Sequence, residues 1–153
     1  MLRNDLAETL AYLDHLTERA HVVPILFGTA VLELLGLGDF RAADLDAIVD
    51  IEGARALAAA AGVDPGKESG NDRFRSQLHL HLDGAPLVID VMADMSIGTP
   101  GGWTLYKVRE TVEIEVNGRR FLAASLADLR RFYRLADRDK DRAKIAALEA
   151  ASA

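Results

Sequence analysis

The period of the apolar positions changes several times along this chain, and the changes mark its elements. Leu6, Leu10, Leu13 and Leu16 recur at helical spacing with Asn4 or Asp5 in place as a cap, so a helix is predicted over Asp5 to Ala20. The apolar run within His21 to Phe27 reads as a short buried strand that ends at Gly28. Pro24 within it suits an edge or a strand start, where its missing N–H is tolerated. Thr29 to Leu35 then reads as a helix stopped by Gly36 and Gly38. Leu45 to Ile51 is the next predicted strand, Gly53 to Ala61 an alanine-rich helix closed by Gly62, and Val63 to Asn71 a loop marked by Pro65, Gly66 and Gly70. Phe74 to Leu82 alternates, with Leu78, Leu80 and Leu82 on one face and Gln77, His79 and His81 on the other. Asp83-Gly84 signals a hairpin into a strand over Pro86 to Met92. Beyond a loop expected over Ile97 to Gly102, short strands are predicted over Leu105 to Val108 and Thr111 to Val116, and Asn117-Gly118 turns the latter into Arg120 to Ala123. Ser125, with Asp128 three residues on, caps a helix over Leu126 to Leu135, and a last helix covers Lys140 to Ala150.

Helices at both ends and strands between them predict an α+β (mixed α/β) fold, in which a central mixed β-sheet is flanked by helices. No repeat or dividing linker interrupts the sequence. One domain is expected over 1–153, with a helical N-terminal segment at 1–20 and C-terminal helices at 125–150. A chain of 153 residues, half of them apolar, suffices for a proper core. No apolar run approaches the roughly 20 residues of a membrane span, and the polar start is unlike a secretory signal, so no membrane partner and a cytoplasmic location are expected. The absence of cysteine excludes disulfides, thiolate catalysis and cysteine-bound zinc. A net charge of −6 argues against nucleic-acid binding over the whole surface. Arg130, Arg131, Arg134, Arg138, Lys140, Arg142 and Lys144 form a local basic stretch interrupted by acids. It reads either as a solvated helix face or as a surface for phosphate or a partner.

Three features bear on chemistry. Gly28-Thr29 joins a buried strand to a helix, where a ligand approaches the backbone and free N–H groups suit phosphate, although a glycine at such a turn also serves the backbone alone. Asp44 and Asp46 are two apart on a strand and so share a face. Two carboxylates there either face water at a strand entry or hold a cation between them, with magnesium the natural choice beside phosphate. Asp90 stands in the apolar segment Leu87 to Met92, where an uncompensated carboxylate is costly to bury. Asp94, at the expected strand end, is a competing candidate.

In this order, Phe27-Gly28-Thr29, Asp44-Leu45-Asp46 and Ile89-Asp90-Val91 resemble the nucleotidyltransferase superfamily, the polymerase-beta-like fold. The likeness is to its minimal bacterial members and those of toxin–antitoxin systems. The segments Ala124 to Leu129 and Arg138 to Asp141 resemble the helical ending of many such proteins, and the resemblance spans roughly residues 22 to 148. It implies a nucleotidyltransferase-like fold and a metal-dependent transfer of a nucleoside monophosphate from a nucleoside triphosphate to a hydroxyl of a small molecule, an RNA such as tRNA, or a protein. It implies Mg2+ (or Mn2+) held by the catalytic carboxylates Asp44, Asp46 and Asp90. Gly28, Thr29 and Lys140 would bind the nucleotide, with Arg75 or Arg41 as other cations for phosphate. Thr29 stands where the family usually has glycine or serine, the spacer to Asp44 is long, and Lys144 falls where relatives often carry an acid. The alternatives are a catalytically inactive binding or antitoxin-like module of the same fold, with a protein partner, and an unrelated α+β domain. His79 and His81 read as an exposed sheet face or as two ligands lacking a third, and Trp103 and Tyr106 as packing groups or base-stacking platforms. Neither a Ser-His-Asp arrangement nor a Gly-rich phosphate loop of the Lys-Ser/Thr kind is present.

Overall fold

The computed structural model describes residues 2–152, so residues 1 and 153 of the expected domain lie outside the described residues. The elements run α1 (Asn4–Ala20), β1 (Ile25–Phe27), α2 (Thr29–Leu34), β2 (Asp44–Val49), α3 (Ile51–Ala61), β3 (Lys67–Gly70), β4 (Phe74–Leu82), β5 (Val88–Thr99), β6 (Gly102–Leu105), β7 (Thr111–Val116), β8 (Arg119–Ala124), α4 (Leu126–Ala136) and α5 (Asp141–Ser152). Among the described residues, the strands form one mixed sheet ordered β3-β4-β5-β2-β1-β8-β7, with β6 paired to β5 alone. β2 runs parallel to β5 and β1 parallel to β8, and the other pairs are antiparallel. The expected mixed sheet flanked by helices, with helices at the C-terminal end, is the architecture found.

One face of the sheet is apolar. Leu45, Ala47, Leu80, Leu82, Ile89 and Val91 are buried there, and α1 and α3 cover them with Leu6, Leu10, Leu13, Leu57 and Ala58. This is the direct outcome of period-2 strands meeting period-3.6 helices. α1 is also pinned by polar contacts. Thr9 Oγ1 accepts from Leu87 N at 3.0 Å, and Arg3 Nε donates to Glu33 of α2 at 2.7 Å. The same glutamate accepts from Ala42 N at 2.7 Å, which fixes the long spacer where it enters β2.

Several boundaries differ from the sequence expectation, each for a local reason. β1 is only three residues long, because its ladder begins after Pro24, which has no N–H to give. Ile51 opens α3 rather than ending β2. Asp50 caps that helix by accepting from Gly53 N at 2.6 Å, a signal that outweighs the β-branched residue. The expected loop over Val63 to Asn71 contains β3, a polar strand recruited by the free edge of β4. The expected loop over Ile97 to Gly102 is instead the end of β5, a turn, and the start of β6. Met95 and Ile97 keep the buried alternation going past Met92, and Gly102 at φ 113 begins the returning strand. The strand expected over Leu105 to Val108 thus lies earlier, at Gly102–Leu105.

Candidate active site

The face of the sheet opposite α1 and α3 carries the polar residues, and the register decides which of them meet. Asp46 of β2 pairs with Asp90 of β5, Asp90 pairs with His81 of β4, and Phe27 of β1 pairs with Asp46. Adjacent strands lie about 4.8 Å apart, so this row brings His81, Asp90, Asp46 and Phe27 side by side. Asp44, two residues before Asp46, joins from the same face. One oxygen from each of Asp44, Asp46 and Asp90 lies within 4.8 Å of the others.

Gly28 completes the arrangement. Its φ of 74° belongs to the left-handed half of backbone space, and a Cβ built on it would lie 2.6 Å from Asp46 Oδ2. Only glycine lets the chain turn from β1 into α2 while Asp46 keeps its position. α2 itself has six residues, so the turn offers free N–H groups with little helix dipole behind them.

The three carboxylates repel, and their protonation shows it. Burial, then the charges of Asp44 and Asp90, push the Asp46 carboxyl up to about 7, against the pull of His79 and Lys144. Burial and the hydrogen bond to Asp90 raise Asp44 as well. Burial acts on Asp90 in the same sense, but hydrogen bonds from His79 and Asp44 and the charge of His81 outweigh it and hold Asp90 below the usual carboxylate range. Asp44 is thus the weaker acid of that pair and Asp90 the stronger. Such a cluster suits a cation, because a divalent ion between the oxygens removes their mutual repulsion.

A cleft of about 430 Å3 opens beside the cluster. Phe27, Gly28, Thr29, Asp44, Asp46 and His79 line it, together with Phe132 and Tyr133 of α4, Arg138 and Lys140 of the turn that follows, and Lys144 of α5. Its wall is built from aromatics. Phe132 meets Phe27 edge-on at 4.7 Å between ring centroids and stacks on Phe74 at 5.6 Å. The turn into α5 is set by buried Asp141, which receives Arg138 Nε and Nη2, each at 2.8 Å, and Arg138 N at 3.0 Å. That clamp directs Lys140 and Lys144 toward the carboxylates. Burial, then the neighbouring Arg138 and Lys140, lowers Lys144, while Asp141 and Asp46 work against the shift. The buried Tyr133 hydroxyl, beside Thr29, makes no well-formed hydrogen bond.

The sequence matches no family model and no curated protein. Two solved structures share its architecture. A Thermotoga maritima protein assigned as a nucleotidyltransferase superposes with a TM-score of 0.67 at 21% identity, over 87% of this chain and 85% of that one. The lincosamide antibiotic adenylyltransferase LnuA, with lincomycin bound, superposes with a TM-score of 0.58 at 18% identity, over 92% of this chain and 94% of that one. The chain has the nucleotidyltransferase fold. Within this nucleotidyltransferase fold, Asp44, Asp46 and Asp90 stand together, with Gly28 against Asp46 and Thr29 and Lys140 on the cleft. Asp94 lies four residues further along β5, about 13 Å from Asp90 by strand rise, outside the cluster. Arg75 lies over the Trp103 ring at 3.7 Å and Arg41 is exposed, and neither lines the cleft. Tyr106 is a buried packing residue that donates to the Asp128 carbonyl.

Sequence reasoning missed the aromatic wall and undervalued Lys144 and the two histidines. Phe132 and Tyr133 are adjacent on one helix, which is a packing signal only. Lys140 stands just before α5 and Lys144 in its first turn, and their approach to the cleft depends on the Arg138–Asp141 clamp. His79 and His81 lie on the carboxylate face beside Asp90, a placement that only strand register reveals.

Proposed function

We propose that this protein is a divalent-metal-dependent nucleotidyltransferase, moving a nucleoside monophosphate from a nucleoside triphosphate to an acceptor hydroxyl. The observation that carries this reading is the convergence of Asp44, Asp46 and Asp90 against the Gly28 turn. Oxygen donors in a tight trio suit Mg2+ or Mn2+, and the glycine cradle suits a phosphate chain entering the cleft. Asp44 and Asp46 would hold the cation that the triphosphate shares, and Asp90 would complete a second position. A bound cation supplies charge stabilisation to the attacking and leaving oxygens.

The chain's own groups do the rest. The backbone of Gly28 and Thr29 receives the phosphate tail, and Lys140, with Lys144 and Arg138, balances its charge. The acceptor oxygen bonds to the α-phosphorus, the bond to the pyrophosphate oxygen breaks, and the hydroxyl proton leaves on the Asp90 side. Because the neighbour LnuA is an antibiotic adenylyltransferase with lincomycin bound, a small-molecule hydroxyl is the acceptor to try first, ahead of tRNA or protein. The test is label transfer. The protein is incubated with Mg2+, each labelled triphosphate, and panels of small alcohols, tRNA and lysate protein, beside an Asp44→Ala/Asp46→Ala variant. Transfer by the parent that vanishes in the variant supports the reading, and transfer that survives the double change sinks it. Triphosphate binding with no transfer to any acceptor would favour a binding module of the same fold.

A further inference from the structure

Beside the carboxylate trio, strand β4 sets out a second group of donor atoms of different chemistry. His79 Nε2 lies 3.1 Å and His81 Nδ1 2.6 Å from one and the same oxygen, Asp90 Oδ1. The two imidazole rings lie 4.3 Å apart, and one donor atom from each of the three residues lies within 4.8 Å of the others. The alternation of β4 puts both rings on the face of Asp90, and its antiparallel register with β5 puts His81 directly opposite. A metal ion with ligands at 2.0–2.1 Å needs donor atoms about 2.9–3.4 Å apart; His79 already stands at that spacing from Asp90, and His81 would draw back by a few tenths of an ångström.

Two further features fit a metal ligand set. Ser69 of β3 sits 2.8 Å from His79 Nδ1. A hydroxyl there accepts Nδ1–H when Nε2 carries a metal, the outer-shell support that orients ligating histidines. His81 is 64% exposed at its side chain, which leaves the solvent side of the group open for entry and for further ligands. We propose that His79, His81 and Asp90 form a binding site for a divalent transition metal ion of the zinc and cobalt kind, adjoining the carboxylate trio through Asp90. Two imidazole nitrogens favour such ions over Mg2+, which prefers oxygen throughout. The proposal concerns cation binding alone and does not depend on nucleotidyl transfer.

The full chain, stripped with a chelator and kept in excess Mg2+ so that the all-oxygen cluster is saturated, is titrated with Zn2+ by calorimetry and with Co2+ by visible absorption, without nucleotide. One equivalent of Zn2+ per chain is expected, with Co2+ bands of a nitrogen–oxygen site. His79→Gln/His81→Gln should weaken binding by more than about 100-fold, beyond what an outer-shell loss produces, and Ser69→Ala by about tenfold. His15→Gln/His21→Gln, which changes the other two histidines of the chain, should leave it unchanged. Circular dichroism confirms folding, and His81→Gln alone, at the more exposed ring, carries the test if the double variant does not fold. Zn2+ binding that persists in the folded His79 and His81 variants, or that excess Mg2+ abolishes in the parent, overturns the proposal.

Discussion

A methyl group at position 28 would collide with the Asp46 carboxylate, which makes Gly28→Ala the sharpest single-residue probe of the cluster. The left-handed φ adds strain of about 1–3 kcal/mol to the displacement of Asp46. A thermal melt should record the loss of stability, and cation calorimetry should show binding weakened by about tenfold or more, as for a ligand held off its position. Protonation gives a second residue-scale prediction. The Asp46 carboxyl is raised to about 7 in the folded chain, so the native state holds a proton that the unfolded state releases near pH 4. In the metal-free protein this contribution to stability is present in acid and is lost as pH rises through 7. Asp46→Asn should therefore narrow the difference in Tm between pH 5 and pH 8, measured with chelator present. A cation must displace the same proton, so Mg2+ or Mn2+ affinity should fall by about tenfold per pH unit below 7. Affinity that is flat between pH 5 and 7 would contradict the assigned cause. Asp44, Asp46 and Asp90 could be read as candidates because residue type and strand period are local. Their mutual distances could not, because they depend on β2 and β5 running parallel in one register.

At the scale of elements, the cleft depends on how the C-terminal helices are attached. Asp128, buried in the first turn of α4, accepts from the backbone N–H of Arg109 and Glu110 and from Arg131. It joins the β7 approach to the helix, and these donors hold its carboxyl low, against burial. Asp128→Ala leaves those donors without their acceptor and should cost about 3 kcal/mol, read by denaturant unfolding. Phe132→Ala removes the ring that bridges Phe27 and Phe74 and should cost about 3–5 kcal/mol. It should also loosen the nucleotide binding proposed for the cleft, since Lys140 and Lys144 follow on the same attachment. The Ser125–Asp128 cap was readable from its spacing, and Asp128 N does donate to Ser125 Oγ at 3.1 Å. β3 was not readable. Its residues Lys67 to Gly70 carry no strand signal, and its pairing is supplied by β4, which has an edge to offer. The length of β5 was hidden by Gly98 and Pro100, which look like loop residues although Met95 and Ile97 continue the buried face.

For the molecule as a whole, cation binding should behave as a reporter of the native state. An ion that binds only the folded cluster stabilises it by mass action, about 2.7 kcal/mol at a hundredfold excess over Kd. Mg2+ should accordingly raise Tm at pH 8, and Asp90→Asn should remove most of that rise in a thermal-shift measurement. The order of strands adds a consequence of another kind. β1, which leads into the Gly28 turn, has β2 on one side and β8 on the other, and Ile25 pairs with Leu122. A ribosome making about 5–20 residues per second would therefore expose one side of β1 for several seconds before its last partner is synthesised. Nascent chains halted before Arg119 would keep that edge open to chaperones and proteases, and the turn that cradles Asp46 would lack half of its scaffold until β8 has been made.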